Sequence, residues 1–87
     1  MCRTKACWVV FMKAFVLVSL VGNHEREMLD RMRLMPEVRN AYLVFGEWDI
    51  VAEVETENTE ALAAFIIDDV RANPGVKLTS SLVVAAK

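Results

Sequence analysis

Few polar groups in this chain have the chemistry and setting to hold a small ligand, and they fall in three places. Gly46-Glu47-Trp48-Asp49 joins two strand-like runs. Gly46 can take the positive φ of a tight hairpin, and the backbone N–H groups of such a turn, with the Asp49 carboxylate, suit a zwitterion. A plain hairpin turn, with Trp48 covering the sheet edge, accounts for the same residues. Asp69 is the second place. On a regular helical wheel Leu62 and Phe65 bracket Asp69, while Asp68 falls away, which places an acid inside an apolar stripe. A buried acid is costly unless paired, so Asp69 either bends to solvent at the helix end or waits for a ligand amine. Thr79-Ser80-Ser81 is the third, where small hydroxyls can occupy a strand edge or offer donors and acceptors to a ligand.

No catalytic set accompanies them. The one His, His24, stands at a helix start where solvent is its expected neighbour, and no Ser or Cys partner lies near it in sequence. There is no Gly-rich phosphate loop, no HExxH and no His/Cys/carboxylate run at metal spacing, so no cofactor or metal is expected. Cys2 and Cys7 lack the further ligands of a zinc site and read as free thiols in a reducing cytosol. The chain carries a formal charge of −2 with no Lys/Arg cluster beyond its first few residues, which argues against direct nucleic-acid binding.

The elements that must position these groups follow from hydrophobic period. Ala14 to Val21 is apolar on both sides, the mark of a central strand covered on both faces. Asn23 is the expected cap of a first helix, with Met28, Leu29, Met32 and Met35 on its buried face and its end near Met35, before Pro36. Val38–Phe45 and Asp49–Glu55 read as two strands. Asn58 caps a second helix whose buried stripe is Leu62, Phe65, Ile66 and Val70. Val76–Ala85 is the last strand. The order is βαββαβ with a weak internal repeat: "MPEVRN" follows the first helix and "NPGVKL" the second, so Pro36 and Pro74 hold equivalent places. Right-handed crossovers fold such halves into a ferredoxin-like α+β sandwich, a four-stranded antiparallel sheet with both helices on one face.

Eighty-seven residues make one domain, and 55% of them are hydrophobic, a high share at this size. The sheet face that the helices leave bare calls for a second subunit, packed sheet to sheet. The stretch from Met1 to Gly22 begins basic and turns apolar, but Lys13 interrupts the run and no small-x-small cleavage pattern follows. A targeting or membrane segment is therefore not expected. Residues 1–11 read as an N-terminal extension and 12–87 as the domain.

The stretches "MKAFVLVSL", "MPEVRNAYLVFGEWDIVAEVE" and "NPGVKLTSSLVV" resemble the ligand-binding (RAM) domain of the Lrp/AsnC, or feast/famine, transcriptional regulators. Pro36, Val38, Gly46, Asp49, Pro74, Gly75, Val76, Thr79 and Ser81 fall on that family's pattern in register. The resemblance implies the ferredoxin-like fold, dimers through the sheet faces, octamers or similar rings, and free amino-acid effectors bound between dimers. It further implies that Gly46, Glu47, Trp48 and Asp49 form one wall of the effector site. Thr79 and Ser81 would come from a neighbouring subunit, and Asp69 would approximate an acidic helix residue of some members. Ser81, where Thr is commoner, keeps the hydroxyl and drops a methyl.

Full regulators of that family carry a helix-turn-helix domain, and little sequence precedes Met12. The resemblance is thus to the stand-alone domain. This implies a cytoplasmic, non-catalytic module that could join full-length regulators in mixed oligomers. Two other classes share the topology: small dimeric cofactor-free enzymes, for which His24 and Tyr42 make no convergent set, and ACT-like regulatory domains, for which Gly22 partly permits the glycine turn after strand 1.

Overall fold

The computed structural model describes residues 11–85. The strands are β1 (Met12–Leu20), β2 (Val38–Leu43), β3 (Ile50–Thr56) and β4 (Val76–Val83). They form one antiparallel sheet in the order β2-β3-β1-β4. Helix α1 (Glu25–Arg33) crosses from β1 to β2, and α2 (Thr59–Ala64) leads from β3 towards β4. This is the ferredoxin-like sandwich, with the expected element order.

The period-two pattern sets the faces. Ala14, Val16 and Val18 of β1, Ala41 of β2, and Ile50, Ala52 and Val54 of β3 are buried. They pack with Met28, Leu29 and Met32 of α1 and with Leu62, Phe65 and Val70 after β3. Methionine contributes heavily here: Met28 and Met32 lie within the core, and Met12 and Met35 pack against it.

Among the described residues, no helix covers the other sheet face. Phe15 and Leu17 lie there opposite Glu53 and Val51 of β3 and opposite Leu82 and Ser80 of β4. Tyr42, Leu78 and Leu82 on this face are more than half exposed. One end of the face is polar instead. Lys13 Nζ pairs with Glu53 Oε2 at 2.9 Å, Asn40 Nδ2 donates to Glu53 Oε1 at 3.0 Å, and Arg39 Nε pairs with Glu55 Oε1 at 3.1 Å.

The internal repeat has a structural counterpart. Val38 N–H donates to Met35 O at 3.1 Å and Val76 N–H to Asn73 O at 3.4 Å. Each Pro therefore occupies the second position of a β-turn that launches a strand, where its fixed φ suits the turn. Gly75 follows Pro74 with φ +94°, a value that favours glycine.

Several boundaries differ from those expected. The residue that precedes α1 is His24, not Asn23, and no side chain caps the helix. Asn58 does cap α2, its Oδ1 accepting from Ala61 N–H at 2.8 Å. Strand β2 stops at Leu43 and β3 begins at Ile50, because Gly46–Asp49 belongs to a wider loop than a two-residue hairpin.

The largest difference concerns Asp69. From Phe65 to Val70 the second helix widens into a π turn, with Arg71 N–H donating to Ile66 O at 2.7 Å. A wider turn rotates each residue by less than a regular α-helix does. Val70 is thereby carried onto the buried stripe, and Asp69 is exposed rather than bracketed by Leu62 and Phe65.

The cysteines and nearly all of the N-terminal extension lie outside the described residues. Among the described residues, no helix is long and apolar enough to cross a membrane.

Replacing Leu29, which is fully buried, by Ala is expected to lower stability by about 2–5 kcal/mol in urea unfolding. Asn58→Ala removes one cap bond and is expected to cost about 1 kcal/mol in the same measurement. The Lys13 hydrogen bond holds the Glu53 carboxyl below its ordinary pKa, and the same bond holds the Lys13 ammonium above its own. The Glu53 contribution is therefore present at neutral pH and lost as pH falls through the lowered pKa. The Lys13 contribution is also present at neutral pH and lost as pH rises through the raised one. Glu53→Gln is expected to flatten both limbs of the stability–pH curve.

Candidate functional site

The β2–β3 hairpin is held at its base and open at its tip. Val44 N–H donates to Asp49 O at 2.9 Å, closing the loop, and Asp49 N–H donates to Val18 O at 2.9 Å, tying it to β1. The Asp49 carboxylate is already engaged, since its Oδ2 accepts the Leu20 N–H at 2.8 Å. That bond anchors the end of β1 through Oδ2 and leaves Oδ1 with no partner among the described residues.

The tip is different. Gly46 has φ +133°, and a Cβ there would meet no atom within 4 Å, so the glycine answers a backbone demand and not crowding. Phe45 is fully exposed, Glu47 is exposed and Trp48 half-buried. The N–H groups of Phe45, Gly46, Glu47 and Trp48 have no partner among the described residues. Successive unpaired N–H groups on a glycine-bearing loop suit an anionic group.

The remaining expected site residues are dispersed within one chain. Thr79 lies opposite Val18, and Ser81 opposite Val16, on the far side of β1 from the hairpin strand. Two strand spacings, roughly 10 Å, separate β3 from β4. Thr79 lines a depression with Arg71 and Lys77, whereas Asp69 lines a separate cleft with Arg31, Leu34 and Met35. Gly46 to Asp49 are thus brought together; Thr79, Ser81 and Asp69 do not converge on them inside the monomer.

A further cavity, of about 210 Å³, opens between the end of β1, the start of α1 and the Pro74-Gly75 turn. His24, Glu27 and Arg31 border it. Sequence reasoning did not group these three, although their i, i+3, i+7 spacing puts them on one helical stripe.

A model of the Lrp/AsnC ligand binding domain matches residues 13–87. The chain belongs to the Lrp/AsnC family. Among curated relatives, an uncharacterized HTH-type transcriptional regulator of Pyrococcus horikoshii is 33% identical over 73 residues, covering 80% of this chain and 49% of the relative. This Lrp/AsnC chain therefore spans about half the length of the curated relatives it matches. Among solved structures, FFRP-DM1 superposes with a TM-score of 0.80 at 36% identity, covering 84% of this chain and 97% of that one. A Neisseria meningitidis transcriptional regulator solved as its L-Met complex has a TM-score of 0.82 at 22% identity, covering 100% of this chain and 58% of that one. At that identity the likeness is one of fold. The relatives are transcriptional regulators, which supports a regulatory and non-enzymatic role for this Lrp/AsnC domain.

Asp49→Ala would leave the Leu20 N–H without its acceptor, at an expected cost of about 1–3 kcal/mol. Amide exchange should quicken at Leu20 in that variant and stay near the wild-type rate in Asp49→Asn, which keeps an acceptor oxygen.

Proposed function

We propose that this Lrp/AsnC domain is a non-catalytic sensor of a free amino acid, acting in the cytoplasm and modulating transcription through its state of assembly. The observation that carries the reading is the hairpin tip. Its backbone N–H groups from Phe45 to Trp48 have no partner among the described residues, on a loop that Asp49 fixes to β1. These donors suit the effector carboxylate, and exposed Glu47 is the acid nearest in sequence for its ammonium. Trp48 and Phe45 offer apolar cover for its side chain. The L-Met complex of the Neisseria regulator supports an amino acid as the ligand class.

The dispersal of the other residues sets the need for assembly. Two copies meeting through the open sheet face would cover Phe15, Leu17, Tyr42, Leu78 and Leu82. Further association into an octamer or similar ring would bring Thr79 and Ser81, and with them Asp69, beside the hairpin of a neighbouring copy. Mixed assembly with full-length regulators of the family would carry the signal to DNA.

Calorimetry against the proteinogenic amino acids, with light-scattering mass measured at each addition, tests the sensor. A subset of them is expected to bind and to change the mass; binding by none, with constant mass, would remove the reading. Leu82→Arg is expected to yield a folded monomer by circular dichroism and sizing, since an unpaired charge is costly to bury between sheets.

A further inference from the structure

The cavity at the β1–α1 junction belongs neither to the hairpin nor to the open sheet face. Leu20, Val21 and Met28 give it an apolar floor, and Pro74-Gly75 closes one side. Glu27 and Arg31 stand on its α1 side at i and i+4, acid before base, which is the order that favours a direct ion pair. That pair is not formed. Glu27 Oε1 instead meets His24 Nδ1 at 3.3 Å, and Arg31 Nη1 donates to Asn73 Oδ1 at 2.9 Å. The acid and the base are drawn to different partners, and both border the same open volume.

The floor is also braced from both sides. Leu20 N–H donates to Asp49 Oδ2 at 2.8 Å, and Val21 N–H donates to Gly75 O at 2.8 Å. The peptide groups beneath the cavity are thus continuous with the hairpin on one side and with the strand-launching turn on the other.

We propose that this cavity is a second small-ligand site, taking a free α-amino acid with a short apolar side chain. The ammonium goes to Glu27, the carboxylate to Arg31 with His24 as a further donor, and the side chain onto Leu20, Val21 and Met28. Oppositely charged groups one helical turn apart suit a molecule whose two charges sit on one carbon. A simple anion or a simple amine satisfies only one of them. The volume admits an amino acid. The Leu20–Asp49 bond makes the site bear on the hairpin, since any shift of the Leu20 peptide is felt at the loop anchor. The ligand class is that of the sensor reading, but the residues are separate, so either site can stand without the other.

The test is an amide-resolved NMR titration of the full chain with L-alanine and L-valine, using acetate and isobutylamine as half-ligands. Saturable shifts are expected at Val21, Gly22, His24, Glu27 and Gly75, with both half-ligands at least about tenfold weaker. Glu27→Gln and Arg31→Lys should each weaken binding about tenfold, and Trp48→Ala should leave it unchanged. Shifts confined to Gly46–Asp49 would overturn the second site and leave the hairpin reading standing. Cavity shifts of equal affinity in Glu27→Gln and Arg31→Lys, or none at all in the wild type, would overturn it as well.

Discussion

The structure depends on one imbalance: β1 is apolar on both faces, and the helices among the described residues cover only one. Val16 and Val18 are buried on the helical side, while Phe15 and Leu17 alternate to the other. A domain of this length has little core to spare. Part of its remaining apolar surface lies on the open sheet face, where Leu78, Leu82 and Tyr42 extend the patch across β4 and β2. The polar end built by Lys13, Asn40, Glu53, Arg39 and Glu55 limits that patch on one side. A partner sheet docked on this face would find a preferred register, with apolar strand centres facing each other and the ionic cluster at the rim, within reach of water.

Most of the fold was legible because the sheet and α1 obey simple periods. The alternation of Ile50, Ala52 and Val54 against Val51, Glu53 and Glu55 sorted the faces of β3, and the Pro-led repeat marked both strand-launching turns. Asn58 was readable as a cap because an Asn just before a helical run has one common use. What escaped reading lay where a regular period fails. A wheel of uniform pitch has no means of registering a π turn, so it set Asp69 inside the apolar stripe and left solvent or a ligand amine as its alternatives, whereas the wider turn exposes it. Asn23 has the right chemistry for a cap but stands one residue too early, and the backbone begins α1 after His24 without side-chain help.

The grouping of the candidate site residues was legible in part, for a different reason. Gly46 to Asp49 are contiguous, so any hairpin brings them together. The role of Asp49 was not visible, since its partner is the amide of Leu20, far away in sequence. Thr79, Ser81 and Asp69 do not converge on the hairpin within one chain, and no reading of a single sequence can state what a neighbouring copy supplies. The α1 stripe of His24, Glu27 and Arg31 was open to inspection, but its meaning arises only when the Pro74-Gly75 turn folds across it.

The widened turn in the second helix has an effect beyond Asp69. Everything after it, from Arg71 to the first residue of β4, takes its direction from where that turn lets the chain out. Just beyond it, Asn73 Nδ2 donates to Asp69 O and Val70 O while its Oδ1 accepts from Arg31 Nη1. Deleting one residue between Phe65 and Val70 would restore a regular pitch and a tidier helix. It would also rotate the asparagine away from α1 and unseat the wall that Gly75 lends to the neighbouring hollow. The helical irregularity is the joint that keeps the two halves of the repeat in step.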